Sequence, residues 1–196
     1  MDQFEYVMVL VSIIVGLGIA HILLGIGGII DRLSQKENPL ELSLAHASWL
    51  GFCFSWLVMF WWWEYRFSSR VSDWTMGLYL FLIAYAVTLF LLQAVLVPRT
   101  WDGVKNLKDF FLERRAWFYG LLMFATILDH IDSYLKGGFE YILDTGTINM
   151  VFAALTIPVV IIGVTTTKMR FHNVVGLVFF GWQVLLGFGN LEVLAS

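Results

Sequence analysis

The sequence predicts an all-α integral membrane protein, a single-domain bundle of six transmembrane helices with a short interfacial cytoplasmic helix between helices 3 and 4. Three observations carry that expectation. Of 196 residues, 59% are hydrophobic and 14% charged, against roughly 25% charged in a soluble globular chain, and mean hydropathy is +0.78. Six apolar stretches approach or exceed the about 20 residues that a helix needs to cross hydrocarbon. Lysine and arginine are unevenly shared, nine in one set of alternate connections and three in the other. The positive-inside bias then puts both termini on the non-cytoplasmic side of a cell (inner) membrane. A net charge of −3 with no basic patch argues against nucleic acid as a partner.

The first span, about 6–30, is too long for a signal peptide and is preceded by Asp2 and Glu5 rather than a basic region. At 100° per residue, Gly18, His21, Gly25, Gly28 and Arg32 share one face, while Gly16, Ala20 and Gly27 lie roughly opposite. Small residues let helix backbones approach closely in lipid. This helix is therefore expected to be central, sandwiched by other helices or by a second subunit of a homo-oligomer. Gly25, Gly27 and Gly28 resemble a fragment of a phosphate loop, but they sit inside a span with no preceding strand. His21 lies roughly 16 Å from the cytoplasmic end of the helix. Ionisable groups at that depth face the bundle interior and mark a pathway or ligand; the plainer alternative is a neutral histidine bonded to a neighbouring helix.

The second span, about 44–63, begins with His46, expected to be wet at the cytoplasmic interface, and includes the lone cysteine, Cys53, as a small packed hydrophobe. Glu64 follows its Trp61-Trp62-Trp63 run. The third span covers about 74–97. In the connection that follows, VKNLKDFFLERR (104–115) spaces Val104, Leu107, Phe110 and Phe111 as an interfacial helix would. Residues 98–115 are also the candidate docking surface for a cytoplasmic protein partner.

The fourth span, about 116–131, ends in ILDHIDSYLK, where Asp129, Asp132, Ser133 and Lys136 share a face with Thr126 one turn earlier. His130 is turned about 100° away, beside Tyr134. Two carboxylates one turn apart cannot both stay charged cheaply in a low dielectric, so a proton or a cation is expected between them. Alternatively the helix ends at Asp129 and leaves Asp132 and Lys136 in water. The fifth span, about 147–164, carries Asn149 and a Pro158 that loosens its hydrogen bonding. The sixth, about 174–191, aligns Gln183, Gly187 and Asn190 on one face and is followed by Glu192.

Templates for catalysis fail: HExxH, CxxC and GxSxG are all missing. A haem b would need axial histidines on facing helices, for which only His21 and His46 are a possible pair, at unequal depths. His21 to Gly28 is faintly echoed by His130-Ile131 with Gly137-Gly138, as an inverted three-plus-three repeat would be. The leading function is a channel or transporter for protons, small cations or a small polar solute. Asp129, Asp132 and His130 form its outer charge site, His21 a deeper relay, and Gln183 and Asn190 its polar lining. The alternatives are a haem- or metal-binding membrane redox protein using His21 and His46, and a non-enzymatic membrane partner or sensor subunit.

Overall fold

The structure, a computed structural model, describes residues 3–35, 39–71, 74–144 and 147–189. Those residues form helices α1 (Gln3–Leu33), α2 (Leu44–Glu64), α3 (Phe67–Arg70), α4 (Met76–Ala94), α5 (Leu107–Asp144), α6 (Thr147–Thr165) and α7 (Met169–Gly189). Among them the sole β feature is an isolated bridge between Glu41 and Asn106. Four helical segments are long and apolar enough to cross a membrane: Gln3–Leu33, Leu44–Arg70, Met76–Ala94 and Met169–Gly187. The apolar part of α6, Met150–Thr165, is shorter. α5 has the length, but Asp129, Asp132 and Lys136 dilute its apolar character where a span would end.

Local chemistry sets the helix starts. Ser43 Oγ accepts from the His46 amide and Thr75 Oγ1 from the Leu78 amide, capping α2 and α4. Asn106 caps α5 reciprocally: its Oδ1 accepts from the Asp109 amide at 2.6 Å, and its Nδ2 donates to Asp109 Oδ2 at 2.8 Å. This corrects the expected interfacial helix. Residues 104–106 are not helical, and the helix that starts at Leu107 runs unbroken to Lys136, about 45 Å at 1.5 Å per residue. Leu107, Phe110 and Phe111 are buried as the first turns of this long helix rather than as a separate element. Non-helical backbone at Gly137 and Gly138 breaks α5, and Gly138, at φ 68°, takes a left-handed conformation that favours glycine.

The centre of the bundle is α2, packed against α1, α4, α5 and α7. Trp49 anchors it, with Phe118 at 4.9 Å, Phe179 at 5.3 Å and Phe52 at 5.5 Å between ring centroids. Small residues bring α7 close: a Cβ at Gly51 would stand 3.0 Å from the Phe180 ring, and one at Gly176 3.2 Å from Ser48. α6 packs mainly on α5, where a Cβ at Gly163 would meet the Tyr119 ring at 2.5 Å.

Within the chain, α1 has neighbours on one of its two small-residue faces. Its Gly18, Gly25 and Gly28 face is filled by Gln93 with Leu57, by Val97 and by Trp101. The opposite face is open: Gly16 and Ala20 are exposed, and a Cβ at Gly16 or Gly27 would meet nothing within 4 Å. α1 therefore lies at the edge of the bundle, on α4 and α2.

Candidate functional site: a buried charge cluster between α2 and α5

The α5 register decides the site. Because α5 continues past Ile131, Asp132 and Lys136 lie one helical turn apart on its buried side, and the alternative in which both are left in water does not hold. Lys136 Nζ donates to Asp132 Oδ2 within α5 and to Glu64 Oε1, the last residue of α2, at 3.1 Å. The ammonium also stands 4.8 Å from the centroid of the Phe67 ring of α3. Glu64, Asp132 and Lys136 are only 1%, 4% and 5% exposed. Glu64 Oε2 and Asp132 Oδ1 are buried with no hydrogen-bond partner.

One turn deeper, Asp129 Oδ1 accepts from the Tyr85 hydroxyl of α4 at 2.8 Å. Tyr85 is held edge-on against Phe60 of α2 at 4.8 Å, so α2 and α5 take part in both layers. On the other side of the cluster, Arg66 Nη1 donates to the Tyr141 hydroxyl at 3.0 Å, and the Arg70 guanidinium lies 4.8 Å from the Tyr141 ring. At the core, one ammonium faces two carboxyl groups. Such a site reaches neutrality only by gaining a proton or a further cation, and a buried net charge is costly. Among the described residues no group of three His, Cys, Asp or Glu side chains is arranged to hold a metal ion.

The remaining candidates are dispersed. His130 Nδ1 donates to the Thr126 carbonyl at 2.8 Å, and its ring lines a separate cleft of about 360 Å³ between α5 and α6, with Ile127, Ile131 and Ala153. His21 faces Phe90 of α4, with centroids 5.9 Å apart and Nε2 buried without a partner. Gln183 Nε2 donates to Met59 Sδ at 3.4 Å, on the α2–α7 seam. Asn190 and Glu192, and the side chain of Asn149, lie outside the described residues.

His46 is not wet: it is 1% exposed, its Nε2–H donates to the Leu96 carbonyl at 2.7 Å, and its Nδ1 is left unpartnered. An axial role through Nε2 would have to break that bond, and Nδ1 is the ring nitrogen of His46 left without a partner. Three side chains that pattern alone did not single out are part of the polar interior. Tyr85 is one. His172 accepts at Nδ1 from the Tyr119 hydroxyl at 2.8 Å and donates from Nε2 to the Thr166 carbonyl at 3.2 Å. Gln93 is fully buried against Gly18 with both amide atoms unpartnered. A lone amide in an otherwise apolar span was the available signal for Gln93; for Tyr85 and His172 there was none.

The regular elements of the described residues are all helices, several of them apolar and of spanning length, as in a multi-pass membrane protein. No known family matches it, and neither does any curated protein or solved structure.

Proposed function

We propose that the protein is a six-span transporter or channel in which the Glu64–Lys136–Asp132 cluster, with Asp129 beneath it, takes up a proton or small cation from the non-cytoplasmic side. The observation that carries this reading is the charge imbalance of a closed site: two carboxyl groups on one ammonium, each with an unused buried oxygen. Two carboxyl groups on one ammonium are neutral only while they hold one further proton or cation, which suits a group that binds and releases something positive. In this reading α5 and α6 complete the crossings, α5 covering its carboxylates with α2 and α4 rather than with lipid. Both termini lie outside the cytoplasm, as the lysine and arginine distribution favours. The open Gly16, Ala20 and Gly27 face of α1 is assigned to a second copy of the chain, and residues 98–115 to a cytoplasmic partner.

Reconstitution in liposomes tests the central claim. Proton or cation flux driven by an imposed gradient should fall at least about tenfold in Asp129→Asn and in Glu64→Gln, a loss of about 1.4 kcal/mol or more. Unchanged flux in both variants would rule out the cluster as the transport site.

A further inference from the structure

We infer that the Glu64–Asp132 carboxyl pair is a binding site for a primary ammonium group of a ligand, and that the protein's own Lys136 occupies it as a tethered competitor. This deepens the proposed function, on which it rests, by naming the chemical class of the cation. The group seated in the site is itself an alkylammonium, so its surroundings record what the site recognises: Glu64 Oε1 at 3.1 Å, Asp132 Oδ2, and the face of Phe67 at 4.8 Å from the nitrogen. Carboxylate oxygens combined with an aromatic face suit an ammonium with an apolar stem. Dehydrated inorganic cations instead seek shells of six or more oxygens, and no three-residue metal-holding group exists among the described residues.

The site also has capacity that Lys136 leaves unused. Lys136 spends two of its three N–H groups on Glu64 Oε1 and Asp132 Oδ2 and leaves Glu64 Oε2 and Asp132 Oδ1 as buried acceptors without a donor; an ammonium not tethered to α5 is free to turn its third N–H toward them. Lys136 is placed to give way. It is the last helical residue before the Gly137–Gly138 break, and its four-carbon stem can move without unwinding the part of α5 that precedes it. Arg66 and Arg70 are engaged by Tyr141 rather than by the carboxyl pair, which leaves Lys136 as the cation to be displaced.

The test is methylammonium binding to the purified full-length chain in detergent, where no gradient exists, so a failure of transport and a failure of recognition separate. Wild-type protein should bind methylammonium, read by titration calorimetry and by a rise in Tm. Tetramethylammonium, which has no N–H donors, and K+ should bind at least about tenfold more weakly. Glu64→Gln and Asp132→Asn should each lose the binding. Lys136→Met should bind about tenfold or more tightly than wild type, because removing the competitor raises the binding-competent fraction. If Lys136→Met folds only with methylammonium present, that rescue counts as the same result. The inference is overturned if wild type does not bind methylammonium, if K+ binds equally, or if Lys136→Met neither binds more tightly nor is rescued.

Discussion

Lys136 shows how much one side chain can hold together: it joins the end of α2 to the last turn of α5 before the Gly137–Gly138 break, with Glu64, Asp132 and Lys136 itself all buried. Removing one partner of such a group leaves an uncompensated charge inside the bundle, which costs about 3–5 kcal/mol, whereas replacing the whole set with apolar residues of similar volume is often close to neutral. Lys136→Met without added ammonium should therefore lower Tm markedly in detergent. The triple variant Glu64→Leu, Asp132→Leu, Lys136→Met should recover most of the loss. A second residue-scale prediction concerns Tyr85. Tyr85→Phe removes the donor to Asp129 and should cost about 1–3 kcal/mol, as an unsatisfied buried acceptor does, measured by denaturation in mixed micelles; an unchanged midpoint would show that water replaces the hydroxyl. At this scale the sequence was partly legible. Helical spacing alone put Asp129, Asp132 and Lys136 on one face. Nothing local linked Lys136 to Glu64, 72 positions earlier, because that pairing depends on how α2 and α5 cross. His46 was misjudged for a related reason: its place at the head of α2 suggested water, but the carbonyl of Leu96 and the ring of Phe110 close over it.

Among the helices, glycine marks where backbones meet, and its two uses separate cleanly. At Gly163 and Gly25 a Cβ would stand 2.5 Å from the Tyr119 ring and 2.7 Å from Val97 Cγ1. Gly163→Ala and Gly25→Ala should each destabilise the fold by about 1–3 kcal/mol through overpacking. Gly16→Ala meets open space and should leave the unfolding midpoint of the monomer unchanged or slightly raised. A comparison of the three midpoints checks both claims. Faces were readable from the sequence because a helix repeats every 3.6 residues. Which face of α1 had a neighbour within the chain was not, since both carry small residues; the side chains that fill one of them, Gln93, Val97 and Trp101, come from the α4 end and the turn after it. The extent of α5 was misread for another reason. Its charges lower hydropathy where the helix continues, so an apolar window ends it too early, and capping by Asn106 joins the 107–115 segment directly to the span.

At the scale of the whole molecule, orientation is the consequence most open to test. In a Cys53→Ser background, single cysteines at Ser34, after α1, and at Ser68, within α3, should label from opposite sides of intact vesicles with a membrane-impermeant maleimide. Labelling of both from the same side would overturn the six-span arrangement. α1 adds a consequence for how the protein is made. Its neighbours are α2 and α4, and much of its outward surface is exposed Leu17, Leu24 and Ile30; its best window has a mean hydropathy of 2.7, the highest of the four spanning segments. In a ribosome-bound chain it must be content in lipid on its own until α4 has emerged. The segment containing α2 reaches only 1.3 and ends its central helix on Glu64, whose partner is translated 72 residues later. Between those two moments Glu64 lacks its partner and must hold a proton or stay in contact with water, and the arrival of α5 is the event that closes the bundle.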